Sequence, residues 1–132
     1  MTKIKVIIER SKDGYSAYGE KVAGIYGMGD TVQQAKESAL KSLRLFVTLN
    51  EPKNIPDELK DDYEIIYKFD TQSLLAYYKG IFTNAALERI TGINQKQINH
   101  YVTGLKKPRA LQAKKIEAAL HQLGSELLAV EL

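Results

Sequence analysis

Asn94, Gln95, Lys96, Asn99, His100 and Thr103 carry hydrogen-bonding side chains in one short run, with Asn94, Gln95 and Lys96 at the tip that would approach base edges. Asparagine and glutamine each offer a donor beside an acceptor, which matches the major-groove edge of adenine, and lysine donates to the acceptors of guanine. Each such contact contributes about 1–3 kcal/mol of discrimination between bases. A second group, Lys106, Lys107 and Arg109, follows in Gly104-Leu-Lys-Lys-Pro-Arg109. Cations in a loop after a helix meet phosphates, which fixes register and makes binding depend on salt. Asn84, earlier in the segment, is a further candidate for a backbone contact. The chemistry these residues fit is recognition of double-stranded DNA.

The charge supports that assignment only when it is resolved by position. The chain has 132 residues and a formal net charge of +3, too little to mark a nucleic-acid binder. Residues 1–69, however, carry equal numbers of basic and acidic groups. Between Thr83 and Lys115 there are Arg89, Lys96, Lys106, Lys107, Arg109, Lys114 and Lys115 against the single acid Glu88. The anion-binding surface is therefore expected in that segment.

Two helices joined by a tight turn are needed to present these groups. At 100° per residue from Ile98, Val102 and Leu105 fall on one side, predicting a buried stripe. Lys96, Asn99, His100 and Thr103 gather on the other. Leu87, Ile90 and Ile93 supply the apolar contact with the preceding helix, Gly92 ends that helix, and Asn94 caps the next. The pattern is that of a helix-turn-helix, whose second helix stands out far enough to enter a major groove.

The segment before it has a different pattern. Lys3–Glu9 is β-branched and partly alternating, Ser11-Lys-Asp-Gly14 turns, and Tyr15–Tyr18 returns, predicting a hairpin. A third strand is expected around Val22–Tyr26, ended by Gly27-Met-Gly29. A helix capped by Asp30 or Thr31 follows, its core stripe carried by Val32, Ala35, Ala39, Leu40, Leu43, Phe46 and Val47, and a last strand covers Tyr63–Phe69. The expected fold is α+β: an N-terminal β-β-β-α-β sheet-plus-helix unit over 1–69, mostly antiparallel, followed by an all-α helix-turn-helix domain over 70–132. A single recognition helix makes few base contacts, so a homodimer or higher homo-oligomer is expected, with the apolar tail Leu127–Leu132 as a candidate contact.

Other chemistries fit less well. There is no cysteine, so disulfides, thiolate nucleophiles and Cys-ligated metals are excluded. His100 and His121 are the only histidines, and no metal site is expected. A two-metal nuclease needs converging carboxylates, whereas Glu9, Asp13, Glu20 and Asp30 lie mostly at turns. No catalytic residue and no cofactor is assigned. Tyr15, Tyr18, Tyr63 and Tyr67 form a weak version of a stacking platform for RNA, in a neutral segment. No apolar run reaches the roughly 18 residues of a membrane span, and a soluble, cytoplasmic protein is expected.

Two family resemblances extend this reading. Leu87, Gly92-Ile93-Asn94, Ile98-Asn99, Gly104, Lys106 and Pro108, followed by an amphipathic helix ending at Leu123-Gly124, resemble the Cro/cI (Xre-like) helix-turn-helix family. Glu88 stands where that family usually has alanine. Ile4–Glu9, Asp13–Tyr18, Gly24, Gly29-Asp-Thr31 and Ala35 with Ala39 resemble the HicB antitoxin family, whose members join a partial RNase H-like domain to a DNA-binding domain. Here Lys21-Val-Ala-Gly-Ile25 replaces the family's Asp-Leu-Pro-Gly-Cys-like stretch. The resemblance implies an antitoxin that binds an mRNA-cleaving HicA-like toxin through its first domain and represses its own operon through the second. A stand-alone regulator without a toxin, or an RNA-binding protein acting through the α/β domain, are the alternatives.

Overall fold

The computed structural model describes residues 1–132, the side chain of Ser11 excepted. The chain divides into two compact units, Met1–Asp70 and Thr71–Leu132.

The first unit contains β1 (Thr2–Ser11), β2 (Gly14–Gly19), β3 (Tyr26–Gly29), α1 (Val32–Leu49), two 3-10 turns and β4 (Tyr63–Phe69). Ile4, Val6 and Ile8 are buried along one side of β1, and Ala17 lies beside Ile8 on β2. This is the period-two pattern of a sheet with one covered face. Val32, Ala35, Ala39 and Leu43 are the buried residues of α1. Their spacing of three and four defines a single helical stripe. Thr31 caps the helix by accepting a hydrogen bond from the Gln34 N–H at 3.1 Å.

The sheet order is β3-β2-β1-β4, with β1–β2 and β2–β3 antiparallel and β1–β4 parallel. This overturns the expected β-β-β-α-β sheet-plus-helix unit followed by an all-α domain. The fold is α+β with a four-stranded mixed sheet and helices interleaved with the strands. Sequence alternation is the same for parallel and antiparallel neighbours. The direction of β4 is set by the crossover through α1, since a hairpin cannot join parallel strands.

The third strand is also displaced from its expected place. Val22 and Ile25 are buried but lie in a loop, and the strand is Tyr26–Gly29. A Cβ on Gly27 would run into the α1 backbone at Ala35 and Ala39. Glycine here therefore permits close approach of helix to strand and does not break the strand.

The second unit contains α2 (Thr71–Tyr77), a 3-10 turn, α3 (Asn84–Thr91), α4 (Gln95–Thr103) and α5 (Ala110–Leu128). Its core is Leu75, Leu87, Ile93, Ile98, Tyr101 and Ile116, with Phe82, Ile90, Val102 and Leu120 packed around it. Among the described residues no helix is long and apolar enough to cross a membrane.

Candidate nucleic-acid interface

The turn between α3 and α4 is Gly92-Ile93-Asn94. Gly92 adopts φ 75°, a left-handed conformation that a side chain would strain, and its N–H donates to the Glu88 carbonyl at 2.8 Å. The Thr91 hydroxyl donates to the Leu87 carbonyl at 2.6 Å and accepts from the Ile93 N–H at 3.0 Å. Ile93 then enters the core. The N–H groups of Gly92 and Ile93 are thus satisfied within the turn, which helps fix where α4 begins.

Two side chains hold the start of α4. The Asn94 side-chain oxygen accepts from the Lys96 N–H at 2.8 Å. Glu88 reaches across the turn, and its carboxylate accepts from the Gln95 N–H at 2.7 Å. Both acceptors sit at the positive end of the helix dipole. The role of Glu88 was not legible in the sequence, because the contact crosses two helices.

Along α4, Ile98 and Tyr101 are buried, while Gln95, Lys96, Asn99 and Thr103 are exposed. His100 is half-buried, and its Nδ1 is enclosed without a hydrogen-bond partner. Asn84 is the first residue of α3, and its side-chain amide donates to Asn99 Oδ1 at 3.3 Å. That contact ties the two helices together on the polar side. The Thr103 hydroxyl donates to the His100 carbonyl at 3.4 Å.

Leu105 departs from the expected buried stripe, with 70% of its surface exposed. Gly104 ends the helix in a left-handed conformation at φ 81°, so the 100° rule no longer applies beyond it. Tyr101 takes the inner position, its hydroxyl accepting from Gln97 Nε2 at 2.8 Å. The expected stripe of Val102 and Leu105 omits Tyr101, whose ring is the packing surface while its hydroxyl reaches the edge of the core.

Lys106 and Lys107 are exposed in the loop after α4, and Arg109 is the N-cap residue of α5. The Lys106 N–H donates to the His100 carbonyl at 3.2 Å, which anchors the loop to the end of α4. Among the described residues none of these three side chains forms an ion pair, whereas Lys114 pairs with Glu117 at 3.1 Å. The second unit therefore brings an exposed polar helix face and three unpaired cations together on consecutive segments.

The groups weighed for other chemistry are scattered. By strand alternation Tyr18 lies on the open face of the sheet, and Tyr15, Tyr63 and Tyr67 lie on the face that α1 covers. The four do not share a platform. Lys36 sits 4.2 Å over the Tyr67 ring, and partial burial lowers its pKa. Glu9 accepts from the Tyr18 hydroxyl at 2.8 Å, and this bond raises the Tyr18 pKa. Glu20 pairs with Lys5 at 3.5 Å. Asp13 and Asp30 line a small cavity of about 190 Å³ with Gly14 and Met28. Among the described residues no group of three or more His, Cys, Asp or Glu could hold a metal.

No family model matches this chain, and neither a curated protein nor a solved structure does.

Proposed function

We propose that the chain is a HicB-like antitoxin that acts in the cytoplasm as a sequence-specific DNA-binding repressor of its own toxin-antitoxin operon. The observation that carries the DNA reading is α4. Ile98 and Tyr101 anchor one side of it in the core, leaving Lys96, Asn99 and Thr103 exposed on the other, with Gln95 exposed in the first turn. A helix held in this way can lie in a major groove without unfolding anything to reach it. Lys106, Lys107 and Arg109 follow without acidic partners and supply the phosphate contacts that orient it. Asn84 and Asn94 act one step back, Asn84 by holding Asn99 and Asn94 by capping the helix.

The toxin-binding part of the proposal rests on the resemblance of residues 4–39 to HicB antitoxins. The repressor would bind as a two-fold oligomer, since paired half-sites one helical turn apart supply the affinity a single short helix lacks.

The test replaces Gln95, Lys96 and Asn99 together with alanine and measures binding to the DNA upstream of the protein's own reading frame. The expected result is loss of sequence preference with weak, salt-sensitive binding retained. Unchanged specific binding would refute the assignment of α4. For the toxin, a short basic reading frame beside this one supports an antitoxin, and its absence favours a stand-alone regulator.

A further inference from the structure

The two edges of the sheet are treated differently. At β3 the outward N–H groups of Tyr26 and Met28 donate to Ser42 Oγ at 3.4 Å and Ser38 Oγ at 3.3 Å. Two α1 serines thereby close that edge against another strand. The other edge is β4, which pairs with β1 on one side. Among the described residues no backbone hydrogen bond beyond the β1 ladder involves Tyr63–Lys68. An edge strand whose residues Tyr63–Lys68 have no further backbone pairing is a template for another strand.

The sequence of β4, Tyr-Glu-Ile-Ile-Tyr-Lys-Phe, is self-complementary when run against itself in the opposite direction. With Ile66 opposite the partner's Ile66, Glu64 faces the partner's Lys68 and Lys68 faces the partner's Glu64. On the other face Tyr63 meets the partner's Phe69, and Ile65 meets the partner's Tyr67. Opposite charges and aromatic or β-branched residues are the cross-strand pairs that stabilise a sheet. Sliding the register by two residues puts Glu64 or Lys68 opposite Ile66; in one direction Lys68 then faces the partner's Asp62, which lies outside the strand, and in the other Glu64 faces the partner's Asp70, a like charge. Ile66 is 38% exposed, and Tyr63, Ile65, Tyr67 and Phe69 are only half-buried. An added strand would cover this apolar surface. The pair Lys3–Glu64, at 3.9 Å between exposed side chains, is too weak to hold Glu64 away from a partner.

We propose that β4 pairs antiparallel with β4 of a second copy of this chain, about a two-fold axis through Ile66, joining two four-stranded sheets into one. This interface is independent of the DNA reading and is tested without DNA.

The full chain and its charge variants are compared by light scattering over a concentration series, with circular dichroism as the check of folding. Glu64→Lys or Lys68→Glu alone turns two attractive pairs into two repulsive ones by symmetry. Each is expected to weaken dimerisation by roughly tenfold or more. The double variant Glu64→Lys/Lys68→Glu restores opposite charges and the dimer. Because the chain has no cysteine, a register test is available. Ile66→Cys should give a disulfide-linked dimer on mild oxidation, while Glu64→Cys should not, since its two copies would lie roughly 13 Å apart along the strands. A monomeric wild-type chain at all concentrations overturns the proposal. So does a dimer that tolerates both single reversals, or one that is lost only when residues 126–132 are removed.

Discussion

Neutralising the loop after α4 gives the most quantitative test of the DNA reading. Lys106, Lys107 and Arg109 are exposed and have no ion-pair partner among the described residues, so each is available to displace a counterion from a phosphate. Each phosphate neutralised contributes about 0.9 to the slope of log Kobs against log salt concentration. Three contacts give a slope of about 2.7 per chain, and raising salt from about 50 to about 200 mM then costs roughly 40-fold in affinity. The variant Lys106→Gln/Lys107→Gln/Arg109→Gln should lose that part of the salt dependence and bind specific and random duplexes more weakly by similar factors. Its folding stability should change by no more than about 0.5 kcal/mol, because the replaced side chains are at the surface. Lys114→Gln serves as the control: Glu117 already pairs with Lys114, so the slope should move less. The measurement is fluorescence anisotropy of a labelled duplex across a salt series. A triple variant with the wild-type slope would show that this loop does not touch phosphates, and the interface would have to lie elsewhere.

Neighbouring residues on α4 should separate folding from recognition. Ile98→Ala removes a fully buried side chain and should cost about 2–5 kcal/mol in urea unfolding of the second unit, whereas Asn99→Ala should leave stability within about 0.5 kcal/mol and reduce specific DNA binding. Two glycines should respond in opposite directions. Gly27→Ala drives a methyl into the α1 backbone and should destabilise the first unit by about 1–3 kcal/mol, while Gly124→Ala, with open space around it in α5, should stabilise by about 1 kcal/mol. The Tyr18 phenol, raised by its hydrogen bond to Glu9, should ionise at lower pH in Glu9→Gln when followed by NMR titration. The sign for stability follows from the same shift. As pH rises through about 10, the unfolded chain loses this proton first, so the Tyr18 contribution falls only in that alkaline range.

Much of the second unit was legible in the sequence because its signals are local. The boundaries of α4 follow from Asn94 as a cap and Gly104 as a terminator, and its exposed polar face follows from the 3.6-residue period. The positional charge imbalance is likewise a property of the chain alone. What differs from the sequence reading turns on how the helix ends and on contacts across the turn. The helical period places Leu105 in the core only if the helix continues past Gly104, which ends it, and the ring of Tyr101 is buried instead. Glu88 gave no sign that its carboxylate would reach the Gln95 N–H.

In the first unit the same division holds. The helical period of α1 points to Val32, Ala35, Ala39 and Leu43, which are buried, and to Leu40, Phe46 and Val47, which are only half-buried, because the period fixes a face and not how far a neighbour covers it. Only the tertiary structure decided that β4 lies parallel to β1, that Gly27 belongs inside a strand against α1, and that Ser38 and Ser42 close the β3 edge while β4 forms the other edge of the sheet. These depend on which backbones meet and from which direction, and a periodic pattern carries no record of either.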